Sequence, residues 1–281
     1  MLTGTHELAA RLERAFAERM IGFARAARAA GESRVEVLEA AGGCATFIEP
    51  GHPVNRASGL GMSGEVTPEA IDGVESFFRT RGEPTRLELC PFADSSLIRL
   101  IGDRGYRLRG FITIHAVRLA DLSTRESASE GQPGLSVERV NNVTLEEFTV
   151  VLSRGFHDGV DPEPLYRRIP RVNYITAGTA CFLARVDGRA AGAGSVGVVS
   201  DTHGTIACLF GAATEPWARR RGVQRALLAA RLALARDAGC DLAAVMAQTG
   251  SASDRNMARA GFMPVYTRTS VEAPEATAAR Q

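Results

Sequence analysis

An arginine-rich loop joins an apolar segment, residues 205–214, to a stretch with helical character that runs to Leu234. The first turn of a helix has backbone N–H groups without intrahelical partners and carries the positive end of the helix dipole, so such a junction suits a diphosphate. Gly222 allows a close approach to the backbone. The loop also supplies positive charge through Arg219, Arg220, Arg221 and Arg225. From charge alone, a solvated basic helix start is the alternative interpretation.

The residues around the loop favour the ligand site. The run Arg219-Arg220-Arg221-Gly222-Val223-Gln224 resembles the acyl-CoA-binding signature of the GNAT-type N-acyltransferase superfamily. A strand, a short helix and Gly261-Phe262 then follow in the order that the family has. The resemblance implies a GNAT-like fold for residues 135–270, in the α/β (α+β) class, with a mixed, mostly antiparallel central sheet flanked by helices.

The resemblance also implies how acetyl-CoA, the expected co-substrate, would bind. The backbone of the central strand would bond the pantetheine, the loop amides would hold the pyrophosphate, and a residue of the short helix would contact the coenzyme from the other side. The implied coenzyme-binding residues are Ala212, Thr214, Arg219, Arg220, Arg221, Gly222, Val223, Gln224, Arg225 and Asn256. The implied reaction is acetyl transfer to a primary amine of a small molecule or peptide.

Three departures from the family pattern bear on activity. Gln224 replaces the last small residue of the signature, so its side chain has to turn away from the phosphates or bond them. Met257 stands where many relatives carry a tyrosine acid, and Cys208 where some carry a glutamate base. Neither can do the same job, so no catalytic residue is assigned. A non-catalytic acyl-CoA-binding or sensor module is therefore the alternative function.

Composition excludes several other classes of function. All 33 basic residues are arginine, which removes mechanisms that need a lysine amine. A net charge of +1 argues against general binding to nucleic acid or to a membrane surface. The five cysteines lie far apart in apolar segments, which predicts reduced core thiols and a cytoplasmic protein. The histidines lack metal-ligand spacing, so no metal is expected, and no targeting segment is expected at the N-terminus.

The chain is expected to form two domains. A linker is predicted at residues 123–134, because they are small, polar and interrupted by glycine and proline. The predicted division is a degenerate GNAT-like domain at 1–122, the linker, an acetyltransferase domain at 135–271 and a flexible tail at 272–281. Within the second domain, Thr144 to Glu147 predicts a capping box, and Asp187-Gly188 predicts a hairpin turn.

The two halves resemble a duplication. Gly105-Tyr106 lies 156 positions before Gly261-Phe262, and other elements follow at nearly the same offset. In the first half, the position of the arginine loop is taken by residues 63–69, which contain two glutamates. This half is therefore expected to have lost acyl-CoA binding. Its expected roles are packing, formation of a homodimer, or shaping the acceptor cleft.

Other motifs leave alternatives open. Residues 59–64 and 192–197 both fit the dinucleotide pattern Gly-x-Gly-x-x-Gly, but the first lacks a good preceding strand and a helix within it, and the second lies inside a strand. His157-Asp158 suits a base with its orienting carboxylate, although a turn is favoured. Arg167, Arg168 and Arg171, with Tyr166, form a basic stretch that suits an acidic acceptor, although a solvated loop is favoured.

Overall fold

The computed structural model describes residues 2–122 and 133–274. Most of the expected linker at 123–134 and of the expected tail at 272–281 lies outside these described residues. The chain divides into two compact units. Unit 1 comprises Met1–His115, Ala247–Ala258 and Pro264–Gln281, and unit 2 comprises Ala116–Met246 and Arg259–Met263. Unlike the domains expected from the sequence, these units are interleaved along the chain.

The described residues form seven α-helices and eleven strands. The helices are α1 (His6–Ala29), α2 (Pro68–Arg79), α3 (Ser95–Asp103), α4 (Leu145–Phe156), α5 (Pro164–Ile175), α6 (Val223–Asp237) and α7 (Ala252–Arg259). The strands are β1 (Glu36–Ala40), β2 (Gly43–Phe47), β3 (Arg56–Ser58), β4 (Arg86–Leu89), β5 (Arg107–Arg118), β6 (Leu135–Arg139), β7 (Thr179–Val186), β8 (Arg189–Asp201), β9 (Gly204–Thr214), β10 (Leu242–Gln248) and β11 (Met263–Glu272).

The sheet of unit 1 has the strand order β1-β2-β3-β4-β11-β5. Strands β1, β2 and β3 are antiparallel neighbours, and β3 then runs parallel to β4. Strand β11 pairs antiparallel with β4, with Thr269 opposite Leu89. A strand from the far end of the chain thus completes the sheet formed by the first hundred or so residues.

Helix α1 packs on this sheet through the stripe that its sequence predicts. Leu12, Phe16 and Phe23 recur at helical spacing and are buried. Thr5 caps the helix by accepting a hydrogen bond from the Leu8 amide. On the buried face lies one charged residue, Glu13, which has no solvent exposure.

In unit 2, β10-β9-β8-β7-β6 form a sheet that carries helices on both faces. Neighbouring residues of a strand point to opposite faces. Ala193 of β8 joins a core cluster with Phe148 and Leu152 of α4, whereas a Cβ at Gly192 would meet Val223 of α6. Helices α4 and α6 therefore lie on opposite faces of this sheet.

The duplicated order predicted from the sequence is confirmed. Strand β3, helix α2, strand β4, helix α3 and strand β5 recur as β9, α6, β10, α7 and β11. In both sets the first two strands pair in parallel, across the helix that connects them. The predicted fold class, α/β with a mixed sheet flanked by helices, is also confirmed, although the strands of both units belong to one sheet and not to two.

Three local predictions are wrong. The basic stretch at residues 166–171 is not a loop but part of α5, which begins at Pro164 in the first turn, where proline is tolerated. Thr144 precedes α4 without a side-chain cap, because its hydroxyl accepts from the Asn141 amide. Residues 56–58 form a strand with Ala57 and Ser58 buried, although their polarity argued against one. Polar residues thus obscured a regular element in the first and third cases and suggested a cap that does not form in the second. No helix among the described residues is long and apolar enough to span a membrane.

Gly73 offers a test of local stability in α2. It is exposed within the helix, and a Cβ built there meets nothing within 4 Å. Gly73→Ala is therefore expected to raise the free energy of unfolding by about 0.5–1 kcal/mol, because alanine loses less backbone entropy in a helix. Gly82→Ala is the control: it also has open space but a φ of +71°, so a loss of about 1 kcal/mol is expected. Urea denaturation measures both, and equal shifts would contradict the backbone argument.

Candidate functional site

The end of β9 has a bulge at the position where the sequence predicts the pantetheine. The pairing of β8 with β9 changes register between Ala193 and Ser195, and Gly211 has a φ of +53°. A bulge places an extra residue in one strand and leaves it without a ladder partner. The backbone groups next to Ala212 are therefore left without partners in β8.

Beyond the bulge, β9 has one side that β10 does not cover. The parallel ladder between these strands ends at Leu209 opposite Val245, while β9 continues to Thr214. The Glu215 amide donates to Ala191 of β8. Because backbone groups alternate sides along a strand, those of Ala212 and Thr214 point away from β8. They are positioned to bond an extended ligand lying along β9.

Helix α6 begins without a side-chain cap. Its N-cap residue is Gly222, at a φ of +73°, and no side chain bonds the first turn. The first amide of the helix with a backbone partner is that of Ala226, which donates to the Gly222 carbonyl. In the described part of the chain, the amides of Val223, Gln224 and Arg225 donate to no other group. These three donors and the helix dipole can serve an anion.

The corresponding helix in the first half, α2, begins differently. Thr67 caps it by accepting from the Ala70 amide, and Pro68, the first helical residue, has no N–H to offer. The loop before it is filled by the buried side chains of Leu60 and Met62. The start of α2 therefore lacks the uncapped amides that the start of α6 has.

The four arginines of the loop differ in their contacts. Arg219 donates from Nη2 to Oδ1 of Asp158 at 2.6 Å, and Arg221 donates from Nη2 to Oδ2 of Asp187 at 2.9 Å. Arg220 and Arg225 are exposed and form no ion pair within residues 2–122 and 133–274. Two guanidinium groups are thus available to a ligand at once, and two are held by carboxylates.

The side chain of Gln224 turns toward the strand. Its Nε2 donates to the Thr214 hydroxyl at 2.7 Å. This contact ties the first turn of α6 to the end of β9. Gln224 is the first departure from the family signature, and its side-chain amide is thus bonded to the protein.

The remaining residues of interest have mixed outcomes. Asn256 lies on α7, which groups with unit 1, so its part in coenzyme binding stays a prediction. Cys208 and Met257 are buried, as are all five cysteines. Burial raises the pKa of the Cys44 and Cys90 thiols to about 12. No group of three or more His, Cys, Asp or Glu among the described residues is arranged to hold a metal.

His157 and Asp158 do not form a base with its orienting carboxylate. Asp158 bonds Arg219 instead, and His157 bonds the Ser153 carbonyl through Nδ1 at 2.7 Å. A carbonyl only accepts, so Nδ1 carries the proton and Nε2 of the neutral ring is left as an acceptor. The amide of Val160 donates to the His157 carbonyl, so the favoured interpretation, a turn, is confirmed.

Sequence reasoning missed the contacts that fix the end of β9. Arg154 of α4 donates to the buried carboxylate of Glu215 at 3.0 Å, and this hydrogen bond raises the pKa of the arginine. A Cβ at Gly155 would lie 2.7 Å from the Ala213 Cβ and 3.1 Å from the Thr214 nitrogen. The guanidinium of Arg189 lies 4.1 Å from the Trp217 ring centroid. Of these contacts, only the one at Gly155 has a signal in the sequence, because a glycine interrupts a helical pattern there.

The glycine pattern at residues 192–197 has a packing role. These glycines lie inside β8, as predicted. A Cβ at Gly192 would come within 2.4 Å of Val223, and one at Gly194 within 3.2 Å of the buried Arg231 guanidinium. Burial lowers the pKa of Arg231 to about 10. The glycines let α6 approach the sheet closely, and this explains them without a nucleotide.

The family comparison matches the second half of the chain. Residues 145–262 match the model of the acetyltransferase (GNAT) family. A comparison with curated protein sequences found no match.

Solved structures extend the likeness to the whole fold. A GCN5-related N-acetyltransferase from Kribbella flavida has a TM-score of 0.69 at 18% identity and covers 96% of this chain and 97% of its own. A tandem GNAT protein from the clavulanic acid biosynthesis pathway has a TM-score of 0.58 at 14% identity, over 82% of this chain and 74% of its own. A GCN5-related N-acetyltransferase from Sphaerobacter thermophilus has a TM-score of 0.54 at 15% identity, over 85% of this chain and 76% of its own. At such identities the likeness establishes the fold.

Proposed function

We propose that the protein is an acetyl-CoA-dependent N-acetyltransferase. Residues 145–262 match the GNAT family model, and the chain has the fold of GNAT proteins that include a tandem GNAT protein. The protein would transfer the acetyl group to a primary amine of a small molecule or peptide. The observation that carries the proposal is the start of α6. Uncapped amides lie there beside Arg220 and Arg225, which have no acidic partner among the described residues, and the open end of β9 lies one short loop before them.

These residues fit the parts of the coenzyme. The amides of Val223, Gln224 and Arg225 would bond the diphosphate, together with Arg220. The backbone of Ala212 and Thr214 would bond the pantetheine, and the bulge would leave an amide for the thioester oxygen. Bound acetyl-CoA would supply the acetyl group as a thioester, and an amide donor already in place stabilises negative charge that develops on its oxygen.

The chain's remaining contribution is alignment. Transfer breaks the C–S bond, forms a C–N bond, and needs the amine to lose a proton and the thiolate to gain one. Holding amine and thioester in reacting geometry is worth several kcal/mol without any catalytic side chain. A base and an acid stay unassigned, because Cys208 and Met257 occupy positions where the family resemblance implies them. Cytoplasmic localisation and a homodimer remain predictions.

Charge at the start of α6 provides the test. We expect Gly222→Asp to bind acetyl-CoA at least about tenfold more weakly than Gly222→Asn, because the two residues have similar shape but only aspartate repels a diphosphate. Both tolerate the left-handed backbone of Gly222, at a φ of +73°. Isothermal titration calorimetry measures the dissociation constants of both variants and of the unsubstituted protein.

Two results would contradict the proposal. One is the absence of heat when acetyl-CoA is titrated into the unsubstituted protein at tens of micromolar. The other is equal affinity of the aspartate and asparagine variants, which would place the diphosphate elsewhere.

A second function, a non-catalytic acyl-CoA-binding or sensor module, is favoured by Met257 and Cys208 alone. Release of free thiol over a panel of primary amines separates the two functions. Turnover with any amine supports the transferase. Tight coenzyme binding without turnover supports the sensor.

A further inference from the structure

The loop between α4 and α5, residues 157–163, rests on the arginine loop. Asp158 accepts a hydrogen bond from Arg219 at 2.6 Å. A Cβ at Gly159 would lie 3.1 Å from the Pro216 ring, so the Gly159 backbone lies close to that ring. Asp161, in the same loop, pairs with Arg154 at 3.4 Å. The 157–163 loop is therefore held partly by an arginine that is also a candidate ligand of the diphosphate.

The Asp158–Arg219 pair is one that a ligand can displace. The side chains are 84% and 46% exposed, and ion pairs with that exposure are weak. A diphosphate carries more charge than one carboxylate and matches the planar guanidinium in two hydrogen bonds. A diphosphate at the start of α6 would therefore be a stronger partner for Arg219 than Asp158 is.

A second pair has the same chemistry but a different consequence. Asp187 binds Arg221 at 2.9 Å, with side-chain exposures of 66% and 46%. Asp158 and Asp187 have nearly equal φ angles, +50° and +51°. Asp187, however, lies in the two-residue turn between β7 and β8, which the strands fix. Loss of the Arg221 contact would therefore leave its backbone in place.

We propose that Arg219 exchanges Asp158 for the coenzyme diphosphate, and that coenzyme binding thereby frees the 157–163 loop. This inference depends on the proposed function, since it needs a diphosphate at α6. Asp158 acts as a positioning residue: it holds the loop in the free protein and releases it in the binary complex. The 157–163 loop directly follows α4, which packs against the end of β9 through Gly155, so its release would loosen the protein next to the proposed pantetheine site.

The loop contains amides that report its release. The Gly159 amide donates to the Arg154 carbonyl at 2.8 Å, and the Val160 amide donates to the His157 carbonyl at 2.9 Å. Hydrogen exchange at these two amides follows local opening. We expect saturating CoA to speed their exchange by about two- to fivefold, the range that loss of a weak ion pair allows.

Two matched variants test the exchange of partners. In Asp158→Asn, Gly159 and Val160 should exchange fast without ligand, and CoA should change them no further. In Asp187→Asn, these amides should respond to CoA as in the unsubstituted protein. Both variants should bind CoA slightly more tightly, since each removes a competing carboxylate. Pantetheine, which lacks the diphosphate, should not speed exchange in any of the proteins.

The outcomes separate this inference from the proposed function. If CoA binds but leaves exchange at Gly159 and Val160 unchanged, or if Asp187→Asn behaves like Asp158→Asn, the partner exchange is wrong and coenzyme binding stands. If CoA gives no heat in calorimetry, the coenzyme site itself is wrong, and the partner exchange falls with it.

Discussion

Replacing Glu13 with alanine is expected to lower the free energy of unfolding by about 3–5 kcal/mol, the usual cost of removing one partner from a buried ion pair. Glu13 and Arg268 have side-chain exposures of 1% and 2%. Arg268 donates to both carboxylate oxygens at 2.8 Å, and the Tyr266 hydroxyl donates to one at 2.7 Å. Without the carboxylate, a guanidinium is left buried beside Phe16, whose ring centroid lies 5.0 Å from it.

The ion pair also shapes the acidity of its neighbours. Burial is the largest single influence on Arg268 and opposes its charged form, but the charge and hydrogen bonds of Glu13, together with Tyr266 and Glu88, outweigh burial and raise the pKa of the guanidinium. Burial first, and then the charge of Glu13, raise the pKa of Tyr266. In the unsubstituted protein Arg268 therefore stays charged and Tyr266 neutral across the physiological range.

Two controls isolate the cause of the loss. Glu146→Ala removes the partner of Arg171 in an exposed pair and should cost about 0–1 kcal/mol. The double variant Glu13→Leu with Arg268→Met removes both charges and should be more stable than Glu13→Ala, since apolar residues can replace a buried pair. Urea denaturation with a constant m-value measures all three. A loss below about 1 kcal/mol for Glu13→Ala would show that the pair is not buried in solution.

Replacing Gly155 with valine is expected to cost about 1–3 kcal/mol, because the added side chain overpacks the contact between α4 and β9. The Cβ alone would lie 2.7 Å from the Ala213 Cβ. It would also lie 3.1 Å from the nitrogen of Thr214, one of the residues proposed to bond the pantetheine. We therefore expect acetyl-CoA affinity to fall together with stability.

Gly73→Val is the control for this second substitution. It places the same side chain in a helix at an exposed position with nothing within 4 Å. Glycine and valine differ little in helix propensity, so the free energy of unfolding should change by less than about 0.5 kcal/mol. A Gly155→Val protein as stable as this control, with unchanged affinity in calorimetry, would show that α4 does not press on β9.

The elements of the site were predictable because their signals are local. A strand, an arginine-glycine loop and a helix lie within 34 residues, and β9, Gly222 and α6 occur where the residues indicate. Charge also distinguished the two helix starts, since residues 63–69 contain two glutamates where the second half has four arginines. Periodicity and capping depend on neighbours a few positions away, so one sequence suffices for them.

The partners of the arginines were not predictable in the same way. Asp158 is 61 positions from Arg219, and Glu13 is 255 from Arg268. No periodic pattern links residues so far apart, and one sequence offers many carboxylates for each guanidinium. The same limit hid the pairing of β11 with β4, since the residues of β11 fit a strand in either unit. Long-range pairing is decided by the assembled core.

The place of β11 has a consequence for biosynthesis. Ribosomes make a chain from its amino end, and early segments usually begin to fold before later ones exist. Here the sheet that holds α1 lacks an interior strand until residues 263–272 have been translated. The nascent first half must therefore wait, with two strand edges unpaired, while about 150 further residues emerge. A premature stop codon just before β11 would therefore leave the sheet of the first-made half without its interior strand.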